Sequence, residues 1–362
     1  MVRVGVVGLG KMGVSHLAIL NAHPDVMVAA VCDSSKYVLD GLSKYTDLKT
    51  YTDYHRILRD AALDAVLIAT PSALHAPMVQ AALDTGLHVF CEKPFCLSAS
   101  ESRALAQLAS EKHLVGQVGY HNRHIAAFGE VKRLVDAGAL GKITYARAEA
   151  YGAVVTKPQG SSWRTQRTAG GGCLYDYAAH PINLINWLFG LPQHVAGAVL
   201  NPIFSTETDD EVYGALRFAD GLMAQISVNW SDSSVRKMTT RLILSGTNGR
   251  LTCDRQEMQI FLRDDREGVP ARYSAGWNSR YTTDLTPPVA YYLRGEEYSA
   301  QIWAWIEAIK THASDYSNDF ASAAETDQTL EMILADAEAT SANMASPPPR
   351  ARDRSLLHMM GR

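Results

Sequence analysis

In the first third of the chain, apolar residues gather in short unbroken runs at positions 2–7, 26–33, 63–70, 88–93 and 114–120, with helical stretches between them. A strand that is apolar at every position has both faces covered, so these runs predict a parallel sheet built from strand–helix–strand units. After residue 140 the period changes to two. Leu222, Ala224, Ile226, Val228 and Trp230 alternate with Met223, Gln225, Ser227 and Asn229, and residues 212–218 and 258–262 alternate the same way. Such strands bury one face. This predicts a largely antiparallel open sheet, with helices on one side and solvent or a partner on the other. Helical stretches at 296–312 and 319–340 close the pattern. The expected class is therefore α/β in the first part and α+β in the second.

Length agrees with this division, because 362 residues exceed the roughly 250–300 that one hydrophobic core accommodates. We expect domains at 1–121 and 122–345, followed by a tail at 346–362 that holds Pro347, Pro348, Pro349 and four arginines. A formal net charge of -4 supplies no basic surface for nucleic acid. Five cysteines are too few and too odd in number for a disulfide framework, which suits a reducing cytoplasm. Cys91 and Cys96 lack a second pair at zinc spacing, so no metal site is expected. Residues 177–206 contain no Asp, Glu, Lys or Arg, yet Pro181, Gly190, Pro192 and Pro202 interrupt them. A buried helix, a turn and a strand fit that stretch better than a membrane span. The valine- and glycine-rich start lacks the cleavage site of a signal peptide.

The candidate chemistry begins at Gly8, Gly10 and Gly13, a G-x-G-x-x-G directly after the strand 2–7 and before a helical stretch from Met12 to Leu20. In that context Gly8 permits a tight turn, Gly10 lets the backbone approach a pyrophosphate, and Gly13 lets the helix pack on the strand. Asp33 ends the next strand, where a carboxylate accepts hydrogen bonds from an adenosine ribose and repels a 2′-phosphate. This is the expectation of a Rossmann domain that binds NAD. NADP remains open, because Ser34, Ser35 and Lys36 could hold a 2′-phosphate.

A second signature, ATPSALHAPMVQAALDTGLHVFCEKP, spans residues 69–94. It places Lys93 at the carboxyl edge of the sheet, where open α/β sheets bind ligands. An exposed lysine before a proline turn is the competing reading. With GLGKMGVSH, the Asp33 strand end, GYHNR and GGGCLYDYAAHPINLINWLFG, the chain resembles the glucose-fructose oxidoreductase, inositol dehydrogenase and MocA family over nearly its whole length. The resemblance implies that Lys93 lies beside nicotinamide and substrate. It also implies cofactor contacts from Gly8, Gly10, Lys11, Met12 and Gly13, and from Asp33, Thr70, Pro71, His75 and Glu92; Ser34, beside Asp33, is a further candidate by position.

Asp176 and His180 stand four residues apart and would share one helical face, although Pro181 disfavours helix at His180. A neutral imidazole can take a hydroxyl proton, and a carboxylate beside it can orient a hydroxyl or keep the imidazole basic. The resemblance implies these catalytic roles; a surface Asp–His pair is the structural alternative. It also implies a substrate pocket containing Trp163 and Arg164. By their own position, Tyr120, Asn122 and Arg123 end the last strand of the first domain and could also face the cleft. His121 and His124 depart from the family's usual residues. The expected activity is hydride transfer at a carbinol carbon of a sugar, glycoside or cyclitol, by a homodimer or homotetramer with no membrane or nucleic-acid partner. A glycosidase using NAD for transient oxidation and elimination, or a cofactor-sensing regulator without catalysis, are the alternatives.

Overall fold

The computed structural model describes residues 1–156, 163–235, 237–264, 268–289 and 295–345; the anticipated tail 346–362 lies outside them. The first sheet holds β1 (Val2–Val7), β2 (Val26–Cys32), β3 (Lys49–Tyr51), β4 (Ala65–Ile68), β5 (His88–Cys91) and β6 (Gly116–Val118). Their order is β3-β2-β1-β4-β5-β6, and every pairing is parallel. The unbroken apolar runs are explained by two separate cores. Val4, Val6, Val31, Leu67 and Phe90 enter one, while Val7, Ile68, Val89, Cys91 and Val118 enter the other. β3 was not anticipated, since a three-residue edge strand with no fully buried residue carries little pattern.

Between these strands run α1 (Lys11–Ala22), α2 (Lys36–Ser43), α3 (Tyr54–Asp60), α4 (His75–Asp84) and α5 (Ala99–Glu111), and α6 (Ala126–Asp136) and α7 (Ala179–Phe189) follow. The second sheet comprises β7 (Ile143–Tyr151), β8 (His194–Asn201), β9 (Glu211–Arg217), β10 (Met223–Asn229), β11 (Thr239–Gly246), β12 (Gly249–Asp254), β13 (Glu257–Leu262) and β14 (Gly276–Tyr281). Its order is β14-β13-β12-β11-β7-β10-β9-β8. It is mixed and largely antiparallel, with β7 and β10 running parallel.

Register explains the period-two pattern row by row. Ile260, Leu251, Leu244, Ala146, Ala224 and Leu216 are successive cross-strand partners and all are buried. One residue along, Trp277, Phe261, Arg250, Ser245, Tyr145 and Met223 form a row on the opposite, open face.

The chain then passes through α8 (Thr282–Leu285), α9 (Glu296–Thr311) and α10 (Phe320–Ala345). α9 returns to the first sheet: Ile302, Trp305, Ile306 and Ile309 join the core of Val4, Val6 and Phe90. Burying each of these side chains contributes about 1.5–3 kcal/mol, enough to hold the helix there. α10 lies against α5, α7 and β8. All five cysteines are free and buried. Among the described residues no helix is long and apolar enough to cross a membrane, and no cluster of His, Cys, Asp and Glu could hold a metal.

Candidate functional site

The glycine turn between β1 and α1 is dictated by close approach. Gly8 has φ +85°, and a Cβ there would stand 2.6 Å from the Ala69 carbonyl oxygen. A Cβ on Gly13 would stand 1.7 Å from the Gly8 oxygen, so neither position tolerates a side chain. At Gly10, by contrast, a Cβ would meet no protein atom within 4 Å, which leaves the backbone open to a ligand. The open side faces a cavity of about 420 Å³, within the usual range of about 300–1,000 Å³ for ligand sites. Gly8, Gly10, Lys11, Met12, Asp33 and Ser34 line it, with Thr70, Pro71, Glu92 and Lys93 opposite. Asp33 is held by two backbone donors: Leu9 N–H to Oδ2 at 2.6 Å and Ser35 N–H to Oδ1 at 2.7 Å. These residues fit a dinucleotide: a close backbone surface, a helix N-terminus for phosphates and a fixed acid for a ribose.

His75 lies in the packing behind that wall. It is buried, and its ring nitrogens contact the Pro94 oxygen at 2.8 Å and the Thr70 oxygen at 2.9 Å, tying the two turns together. Glu92 is buried beside His16, with Oε1 to Nε2 at 2.6 Å. Burial pushes its carboxyl up, but the His16 hydrogen bond and the charges of His16 and Lys93 outweigh it, and the net shift is downward.

Asp176 sits in a π turn, residues 174–178, whose start is held by the Leu174 N–H donating to Asp209 at 2.6 Å. α7 begins directly after, at Ala179, so Pro181 falls in its first turn, where a missing N–H costs little. Lys93 Nζ donates to Asp176 Oδ1 at 2.7 Å and to its backbone oxygen at 2.8 Å. Arg164 Nε donates to Oδ2 at 2.9 Å. Burial would raise the Asp176 carboxyl, but Lys93 and Arg164 hold it below the usual carboxylate range. The carboxylate therefore partners two cations. It does not reach the imidazole as a single α-helical face would suggest, because the π turn breaks that register.

His180 is buried, its Nδ1 has no hydrogen-bond partner, and its ring packs edge-on against Tyr120 and His121. Burial first, then Lys93 and His121, push it well below its ordinary value of 6.5. It is neutral at neutral pH.

Asp176 and His180 meet at a second cavity of about 520 Å³. It shares Lys11, Met12, Glu92, Lys93, Arg164 and Asp176 with the first cavity, so the two are continuous. Asn122 lines the second; Trp163 lines only the first, with the Arg164 guanidinium 4.8 Å above its ring. Tyr120 is a correction to the expected pocket lining: it is fully buried under His180 and reaches neither cavity. Arg123 is likewise buried, bonded to Asn183. His121 lines the second cavity, stacked on Tyr298 and pushed down to about 3 by burial. His124 is half-buried and does not line it. Lys237, Met238, Thr240, Arg255 and Tyr298 also line it, with Ile125 and Tyr177, and were not singled out, because strand edges and a late helix bring the first five in from afar.

Family models match in two places. Residues 2–120 match the oxidoreductase family with an NAD-binding Rossmann fold, and residues 128–252 match the GFO/IDH/MocA C-terminal domain. The scyllo-inositol 2-dehydrogenase (NAD(+)) of Bacillus subtilis (strain 168) is 30% identical over 191 residues, which span 52% of this chain and 54% of that protein. The chain thus spans about half the length of that relative. The levoglucosan dehydrogenase of Pseudarthrobacter phenanthrenivorans is 27% identical over 314 residues, 75% of this chain and 80% of that protein. A structure of levoglucosan dehydrogenase in complex with NADH and levoglucosan superposes with a TM-score of 0.83 over 93% of this chain and 97% of that one, at 24% identity.

Proposed function

Since the chain belongs to the GFO/IDH/MocA oxidoreductase family, with an NAD-binding Rossmann fold as its first domain, we propose that it transfers a hydride between NAD and a carbinol carbon of a sugar, glycoside or cyclitol. The observation that carries this reading is the Lys93–Asp176–Arg164 cluster with His180, set where the dinucleotide cradle opens into a second cavity. The names of the relatives point the same way, toward polyol ring substrates.

Gly8, Gly10, Lys11, Met12, Asp33, Ser34, Thr70, Pro71 and Glu92 would hold the dinucleotide, whose nicotinamide supplies the hydride acceptor when bound. Asp33, fixed by Leu9 and Ser35, disfavours a 2′-phosphate and so favours NAD over NADP. At the substrate, Lys93 has three N–H donors and gives two to Asp176, which leaves one for the hydroxyl oxygen that becomes the carbonyl. A fixed ammonium there stabilises the developing negative charge more than the neutral alcohol, and this difference accelerates the reaction. Neutral His180 accepts the hydroxyl proton. Asp176 and Arg164 keep Lys93 aimed, and Asn122 faces the remaining hydroxyls.

The test is a panel of polyols, free sugars and glycosides with NAD and NADP, followed by nicotinamide absorbance. Net reduction of NAD on a polyol ring supports the reading. Glycoside cleavage without net reduction would point to a glycosidase, and dinucleotide binding with no turnover on any substrate to a sensor. Greater efficiency with NADP would overturn the role given to Asp33.

A further inference from the structure

The wall of the second cavity carries cations that the proposed hydride transfer does not use. Its cations are Lys11, Lys93, Arg164, Lys237 and Arg255, against the carboxylates of Glu92 and Asp176. Lys93 and Arg164 balance Asp176 and Glu92. Lys11 opens α1 beside the glycine turn, where a dinucleotide's phosphates belong. Lys237 and Arg255 remain, on the wall supplied by the second sheet, Arg255 paired with a glutamate that does not itself line the cavity.

Arg255 pairs with the fully buried Glu297, Nη1 to Oε1 and Nη2 to Oε2 both at 2.8 Å. A guanidinium has five donors, and only the Nη2–H to Oε2 contact of this pair is a hydrogen bond. The pair also holds the head group in place, so little freedom is lost when the other donors bind. Lys237 is exposed at the rim just before β11 and forms no ion pair or hydrogen bond among the described residues. The chain as a whole is acidic, with net charge -4, so a positive cavity wall is a local feature. In a concave site, field lines from such charges are focused on an entering ligand.

We propose that Lys237 and Arg255 bind an anionic substituent, a carboxylate or phosphate carried by the polyol, so that the preferred substrate is a sugar acid or polyol phosphate and not a neutral polyol. This rests on the proposed function in taking the ligand to be a polyol whose reacting hydroxyl sits at Lys93 and His180. Arg255 recognises the anion by direction and Lys237 by charge, on the wall that the second sheet supplies. The anion site thereby selects the substrate without entering the chemistry, and its loss raises KM while leaving kcat nearly unchanged.

The test uses the full chain saturated with NADH, titrated calorimetrically with glucose, glucuronate and glucose 6-phosphate, and with myo-inositol and its monophosphate. We expect at least one anionic member to bind about tenfold or more tightly than its neutral counterpart, a difference of about 1.4 kcal/mol, and to weaken as salt rises. Whether the carboxylate or the phosphate series responds identifies the source of the charge. Lys237→Gln, at an exposed position, should remove most of that advantage and leave neutral ligands unaffected. Arg255→Gln combined with Glu297→Gln, which leaves no buried acid unpaired, should do the same. Equal binding of charged and neutral members, no binding of any anionic member, or an advantage that survives both variants would overturn the proposal. Turnover is read separately. Anion binding through Lys237 without oxidation of any polyol would sink the hydride-transfer reading alone, and oxidation indifferent to charge would sink the anion site alone.

Discussion

The Lys93 ammonium is held by Asp176 on one side, and Arg164 holds Asp176 on the other, so three side chains from distant positions act as one unit. Lys93→Met should therefore abolish most turnover while NAD binding, measured by fluorescence titration, changes little. His180→Ala should lose about 10² to 10⁴ in kcat, the usual contribution of a positioned base, provided circular dichroism shows a folded protein. The depressed pKa of His180 sets a further expectation. A base that gives up its proton well below pH 6.5 is already neutral at pH 6, so kcat/KM should show no acid limb from this group between pH 8 and pH 6. A limb centred near 6.5 would mean that the imidazole is more solvated than its buried position implies. At this scale the sequence was informative. Lys93, Asp176 and His180, each singled out as a candidate, line one cavity, whereas the Lys93–Asp176 pairing was not anticipated, because spacing along a helix says nothing about a lysine from a distant strand end.

Among the elements, the glycine turn and α10 do most to place these groups. Gly13→Ala puts a methyl group into the Gly8 carbonyl and should abolish dinucleotide binding, detectable as loss of the NADH-induced rise in melting temperature. α10 anchors the turn after Lys93. Asp327 accepts from the Cys96 N–H at 2.9 Å and from the Ser102 hydroxyl at 2.5 Å, and burial pushes its carboxyl up to about 7. A raised acid keeps its proton when folded and loses it when unfolded. Its contribution is complete below the unfolded value near 3.8 and is lost as pH rises through about 7. Asp327→Asn should thus gain stability relative to the parent as pH rises from 4 to 7, by up to about 1.4 kcal/mol per unit, and hold that gain above 7. A difference independent of pH would remove this account. Sequence periodicity located α10 to within a few residues, but the contact between Asp327 and Cys96 spans 231 positions and has no local signature.

For the whole molecule, the open face of the second sheet is the feature that a monomer explains least. Trp277 is 68% exposed and Met223 42%, with Phe261 and Tyr145 in the same row. A flat face of this kind is suited to pairing with a second copy. We expect light scattering at micromolar concentration to give a mass above the 39.5 kDa of one chain, and Trp277→Glu to shift it toward the monomer. A parent protein already monomeric would count against that assembly. Acid stability is a second global property. Burial depresses His75, His121, His124 and His180, so below pH 6.5 the unfolded chain takes up protons that the folded one cannot. Stability should fall between about pH 6.5 and pH 4, read as a falling urea midpoint, and it should be recovered on returning to pH 7.

Local chemistry was legible in the chain itself. Unbroken and alternating apolar runs distinguished a sheet covered on both faces from one covered on one, since burial acts on each residue where it stands. The glycines and Asp33 marked the cradle because their role depends on immediate neighbours and backbone conformation. Tertiary structure alone decided which side chains converge. It brought α9 back to the first sheet, placed Tyr120 beneath His180 instead of in the pocket, and carried Lys237, Arg255 and Tyr298 to one wall from the turn before β11, the turn after β12, and α9. Those placements follow from packing whole elements against one another, a property of distances between residues tens to hundreds of positions apart, which no short stretch of sequence contains.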